Sequence, residues 1–347
     1  MWISSSGHAR RILGAALFAA FPCIGATAES AVNRPLKLVA DVPLPGDTSR
    51  FDYESYDAGR HLLFIAHLGA SEVLAFDTQK QQIVGRINRI SHVHGVLVVP
   101  ELKRVYASAT GTDEVVAIDE DSLAIVARIP GGKYPDGMAY AAHARKLYVS
   151  DETGATETVI DVQSNQRIAT IPLGGEVGNT QYDAVSQHIF VNVQSRNQLV
   201  EIDPATDKII ARHELRGADG NHGLRIDAKN RLAFIACEGN DRLLVFDLNT
   251  HQVKAAFDVG SGPDVLAEDE SLGLVYVAAE SGPVSLFKIE GGEVKKFAED
   301  ALAPNAHVVA VDPGAHFAYF PIKSLNGHPT LRIVRPQLAD SPSGMKD

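Results

Sequence analysis

Short apolar runs alternate with turn-forming residues along most of this chain, and the stretch from His94 to Pro135 shows the pattern most plainly. Residues 95–99, 104–108, 115–119 and 125–129 are β-branched or aromatic runs, separated by turn chemistry at Pro100, Gly111 and Asp121-Ser122. Four strands in succession predict one meander sheet. Such a sheet has two apolar faces and no partner, so it needs copies of itself to stack against.

The copies are present. The place that His94 holds in its repeat is held elsewhere by Asp52, Asp136, Asn179, His222, Asp264 and His307, at spacings of 42 or 43 residues. Each mark is followed by a first strand, a loop and an apolar run centred on an aromatic: Phe64, Tyr106, Tyr148, Phe190, Phe234, Tyr276 and Tyr319. The third strand usually ends in Asp (Asp77, Asp119, Asp161, Asp203, Asp247), with Thr or Ser close behind, as a tight turn requires. Seven units of four strands predict an all-β, seven-bladed β-propeller with antiparallel blades. Paired-helix solenoids of similar period would need apolar spacings of three and four, which are absent here.

The last repeat supplies only three strands, at residues 308–311, 317–322 and 330–334. Residues 36–42 form a strand ahead of the first mark, and the simplest closure makes it the fourth strand of the last blade, leaving no open edge. The propeller then occupies residues 36–336, with a linker at 29–35 and a flexible tail at 337–347. Residues 1–28 carry Arg10 and Arg11, an apolar run and the small-residue end Ala26-Thr27-Ala28, which predicts a signal peptide too short to span the membrane. The arginine pair allows twin-arginine export, although its flanks fit ordinary secretion better. A periplasmic or secreted monomer without an anchor is expected. Cys23 would leave with the leader, so Cys237 could form no intramolecular disulfide.

Charge narrows the function. The formal net charge is −11, and loss of Arg10 and Arg11 makes it two units more negative. That argues against a phosphate-tracking nucleic-acid groove unless Arg50, Arg196, Lys323 and Arg332 gather on one face.

The turn with Asp or Pro, the aromatic-centred strand, the V-x-x-I-D strand and the closing G-x-x-P-D-G resemble the YVTN-type seven-bladed propeller repeat family, which includes YncE-like secreted bacterial proteins. Tyr134-Pro135-Asp136-Gly137 and Gly262-Pro263-Asp264-Val265 carry the linker motif most clearly, and the resemblance runs from about Leu36 to Arg335. It implies the fold. Function has to come from the site, because propellers host binding scaffolds, lyases and hydrolases alike.

The repeat says where that site lies. The inner strand of each blade begins near one mouth of the central channel, so Asp52, His94, Asp136, Asn179, His222, Asp264 and His307 should ring it. A second tier about fifteen residues further on contains His67, Asp151, Glu152, Gln194, Glu238 and Glu280. Three histidines among three aspartates suit a borderline cation such as zinc or copper, with His94, His222 and His307 as ligands. Carboxylates alone would suit calcium. A hydrogen-bonded His–carboxylate belt needs no metal. His92 and His94 share a strand face, whereas Cys237 beside Glu238 reads as a packed small residue.

Three functions follow: a binding or scaffold propeller for a small ligand or protein partner; a lactonase-like metal-dependent hydrolase using Asp52, Asn179, Asp264 and Glu280; and, against the charge, a nucleic-acid binder. No catalytic residue is assigned. The chain lacks a G-x-S-x-G elbow, an H-E-x-x-H motif and a phosphate-binding glycine loop, which favours binding over catalysis.

Overall fold

The computed structural model describes residues 34–338. The leader at 1–28 with Cys23, linker residues 29–33 and tail residues 339–347 lie outside the described residues.

Each repeat forms one four-stranded antiparallel blade, and seven blades make the ring. The inner strands are Glu54–Asp57, Val93–Val99, Pro135–Ala141, Val177–Asp183, Asn221–Asp227, Pro263–Asp269 and Ala310–Asp312 for blades 1 to 7. Each packs beside the next, and that of blade 7 packs beside that of blade 1. Blade 7 is completed as expected: Leu36–Pro43 pairs antiparallel with His328–Pro336 as its outermost strand.

Seven apolar clusters hold the ring, one between each pair of adjacent blades. The seven aromatics of the second strands lie within them, each at most 1% exposed. Burying a large apolar side chain contributes about 1.5–3 kcal/mol, so each aromatic adds to the attachment of its blade to the neighbour. The turns use the Asp that closes each third strand. Asp77, Asp119, Asp161, Asp203 and Asp247 each accept backbone N–H bonds from residues two or three further on.

One device places the site. In blades 2 to 6 the inner strand carries a β-bulge at the repeat mark, with one residue more than its partner strand opposite. A bulge re-aims a side chain, and here it turns the marked residue toward the channel. Crowding at the axis selects the next residue: a Cβ on Gly95 or Gly223 would collide with the carbonyl of Asp136 or Asp264 in the following blade. The ladder also corrects one position. Gln181 pairs with Phe190 as Ala139 pairs with Tyr148, so Gly178 is the blade 4 counterpart of Asp136, and Asn179 lies one place beyond. In blade 7 the regular inner strand starts at Ala310, two residues later than expected, and His307 precedes the ladder.

Ring closure through Leu36 is directly testable. Leu36 is 3% exposed among the residues of blades 6 and 7, whereas Leu38 on the same strand is 51% exposed. Leu36→Ala should lower the urea-unfolding free energy by about 2–5 kcal/mol, while Leu38→Ala should change it by about 0.5 kcal/mol or less. Equal effects would mean that the strand is not docked as described.

Candidate functional site

The marked residues converge on a cavity of about 610 Å³ at one mouth of the channel. Asp52, His94, Asp136, His222 and Asp264 line it together with Glu152, Gln194, Glu238 and Glu280 from the second tier. The other two second-tier residues are taken up by the blades. His67 is fully buried and stacks on Phe51 at 4.1 Å, while the Asp151 carboxylate accepts hydrogen bonds from Thr156, Thr158 and the Gly132 N–H. Their side chains are held within the blades and their loops rather than in the channel.

The three histidines share one orientation but not one state. His94 Nδ1 faces the His92 carbonyl at 2.9 Å, His307 Nδ1 faces the Asn305 carbonyl at 2.9 Å, and His222 Nδ1 faces Gln194 Oε1 at 3.1 Å. Each carbonyl can only accept, so the proton sits on Nδ1 and every Nε2 is directed into the ring. For His92 this makes the backbone, rather than the imidazole, the useful group.

Their environments then diverge. Burial would lower the pKa of His222, but Asp264, Glu238, Asp136 and Glu152 outweigh it and raise it to about 9, so this imidazole is a cation at neutral pH. Its Nε2 lies 3.8 Å from both Asp136 Oδ2 and Asp264 Oδ1. Burial, reinforced by Arg50, lowers His307 to about 4, leaving it neutral. Its Nε2 is buried without a hydrogen-bond partner and lies 4.0 Å from Asp264 Oδ2. Burial also lowers His94, whose Nε2 accepts from the Tyr134 hydroxyl at 3.0 Å. The three are therefore not one ligand set: one is a cation, one is engaged, and one offers a free lone pair.

The carboxylates are only partly compensated. Burial, then Asp136 and Asp264, pushes Asp52 well above its ordinary value, and burial raises Asp264 to about 7 despite His222. Arg50 is the second internal cation. Its guanidinium bonds Glu280 and approaches Asp264 at 3.6 Å and Asp52 at 4.0 Å. Asp52, Asp264 and His307 bring their ligand atoms within 4.8 Å of one another, as do His222, Glu238 and Asp264. Because His222 is protonated, the first trio is the better cation site.

Beneath the ring, Asn179 donates to the Tyr53 hydroxyl at 2.7 Å. Tyr53 and Asn179 hold the same repeat position in blades 1 and 4, where Gly95, Gly137 and Gly223 stand in others. Tyr53 borders both the mouth and a second cavity of about 780 Å³ further along the channel. The hydrolase set is thus not assembled as one: Asn179 bonds Tyr53, and Glu280 bonds Arg50 and Asn305. Cys237 is buried, and burial pushes its thiol up to about 12, consistent with packing. Of the basic residues considered for nucleic acid, Arg50 and Arg332 pair with carboxylates, the latter with Asp41, and Arg196 donates to the Gly174 carbonyl. Arg50, Tyr53 and Tyr134 were not on the sequence-derived ring, although an aromatic at the Gly position after Asp52 marks Tyr53.

The charge of His222 fixes a pH dependence. A pKa raised by folding contributes stability that is fully present below the unfolded value of 6.5 and is lost as pH rises through about 9. The stability advantage of the wild type over His222→Gln should therefore be on the order of 3 kcal/mol at pH 6 and should vanish by about pH 10 in denaturant titrations. An advantage independent of pH would show that His222 is neutral.

The chain matches no family model and no curated protein sequence. It is similar in fold to solved structures titled "Crystal structure of RRP9 WD40 repeats" (TM-score 0.75, 10% identity, covering 87% of this chain and 100% of that one) and "Kuenenia stuttgartiensis Hydrazine Synthase" (0.72, 13%, 84% and 97%). Another is virginiamycin B lyase from Staphylococcus aureus (0.72, 8%, 87% and 100%). At such identities the likeness establishes a seven-bladed propeller with WD40 and lyase neighbours, and nothing finer. Among the described residues no helix is long and apolar enough to cross a membrane.

Proposed function

We propose that this chain is an exported, YVTN-type propeller that binds a divalent cation of the zinc class at its channel mouth, with Asp52, Asp264 and His307 as protein ligands. The observation that carries this reading is the buried, unpartnered Nε2 of a neutral His307 beside two carboxyl groups whose charged form burial disfavours and a bound cation would restore. A carboxylate–imidazole trio suits a borderline cation and leaves coordination positions for water or a ligand. The Asn305 carbonyl fixes the His307 tautomer, as outer-shell acceptors do for metal-binding histidines. Export is supported by the leader-like composition of residues 1–28, and the family by the Pro-Asp pairs that open the inner strands of blades 3 and 6.

Arg50 and the cation compete for the same carboxylates. The arginine side chain is 40% exposed, so it can swing outward when the cation enters. The mouth cavity beside it then takes a small polar ligand, which makes the protein a binding module rather than an inert scaffold.

Zinc titration of untagged, metal-stripped protein tests this. His307→Gln and Asp264→Asn should each abolish the mouth equivalent, His94→Gln should retain it, and Arg50→Ala should tighten it by at least about tenfold. Absence of zinc at the mouth, or equal loss in all three ring variants, would return the ring to a hydrogen-bonded belt.

A further inference from the structure

A second group of metal-ligating side chains lies where blade 4 faces blade 5, away from the channel. Glu201 is on the third strand of blade 4 (Gln198–Asp203), His213 on its fourth (Lys208–Glu214), and His251 on the turn before the last strand of blade 5 (Gln252–Asp258). The repeat serves as its own control. The ladder place of Glu201 is held by Ala75, Ala117, Val159, Val245 and Leu286 in blades 1, 2, 3, 5 and 6, and that of His213 by Ile87, Ile129, Ile171 and Phe257 in blades 1, 2, 3 and 5 and by Asp300 in blade 6. Only blade 4 replaces this interblade apolar pair with a carboxylate and an imidazole. Burying a carboxylate is costly unless it is paired, and here the pairing groups are themselves imidazoles, His188 and His213, so the double departure assembles metal-ligating side chains where other blades place apolar ones.

The geometry points to a cation. Glu201 Oε2 lies 3.2 Å from His213 Nε2, and Glu201 Oε1 lies 2.7 Å from His188 Nδ1, which orients the carboxylate. The His213 and His251 rings are 4.5 Å apart, and Phe246 packs beside both. The ligand atoms of Glu201, His213 and His251 all fall within 4.8 Å of one another. Tetrahedral zinc with bonds of about 2.0–2.2 Å holds its ligands roughly 3.3 Å apart, so a modest contraction completes the site. His251 is the movable member: it is exposed on a turn at φ 56°, while Glu201 is held in the interface.

We propose that Glu201, His213 and His251 bind one zinc ion that clamps blade 4 to blade 5, with water in the fourth position. This site is independent of the channel mouth, shares no residue with it, and adds a cross-link to the apolar packing and hydrogen bonds that join the two blades.

The test uses the untagged full chain, stripped of metal, carrying Asp264→Asn so that the mouth contributes no zinc. Zinc chloride titrated by calorimetry should bind one equivalent and raise the melting temperature, and cobalt(II) should give the visible spectrum of a tetrahedral site. His251→Ala, an exposed change that leaves the interface intact, should weaken zinc by more than about tenfold. Glu201→Val with His213→Ile, the residue types that other blades use, should remain folded, lose the equivalent and lose the zinc-dependent shift. Zinc bound as tightly by either variant, or no zinc bound in the Asp264→Asn background, would overturn the clamp. The mouth site fails separately, if Asp264→Asn leaves the zinc stoichiometry of the otherwise wild-type chain unchanged.

Discussion

Every blade of this protein is a sheet with two apolar faces, and the requirement to cover both of them governs the rest of the structure. An open row of blades would leave two faces in water, so the row has to close. Closure is secured by Leu36–Pro43, which carries the N-terminal side of the chain into the last blade. It also forces seven inner strands together at the axis, where there is room for glycine after several marks and for little else. The bulges relieve that crowding and, as a consequence, aim one polar side chain per blade toward the channel in most of the ring.

A ring built this way concentrates titratable groups out of water. Six carboxylates surround the mouth cavity, and two internal cations, Arg50 and protonated His222, face them. Burial therefore raises Asp52 and Asp264 while it lowers His307, and the same desolvation acts on all three. An added divalent cation relieves both carboxylates and uses the lone pair that His307 leaves unsatisfied. On the reading proposed here, the polar belt and the metal site are two charge states of one arrangement, distinguished by whether Arg50 or a cation stands between Asp52 and Asp264.

Much of this was legible in the sequence because the repeat multiplies the signal. Phe64 and its six counterparts mark the second strands, the closing aspartates mark the turns, and the missing fourth strand of the last repeat identifies its own replacement. The ring positions followed from the period alone. Asn179 was placed one step off because the bulge makes two adjacent residues near-equivalent in spacing, and only the ladder separates Gly178 from it. The roles of the histidines were not legible, since they depend on Gln194, Tyr134 and Asn305, which lie far from them in sequence or act through the backbone. Arg50 was considered only for nucleic acid, because its reach across the ring to Glu280 is a tertiary fact. Glu201 and His213 were available as departures from an otherwise apolar repeat column, a comparison that requires the strand register.

The proposed binding role rests on a cation held at the mouth between Asp52, Asp264 and His307. Anomalous diffraction at the zinc absorption edge, from crystals equilibrated with zinc chloride, tests it most directly. A peak is expected about 2.0–2.2 Å from His307 Nε2 and from an oxygen of each aspartate, with Arg50 turned away. A mouth without a peak, with Arg50 still reaching Asp52 and Asp264, would contradict it.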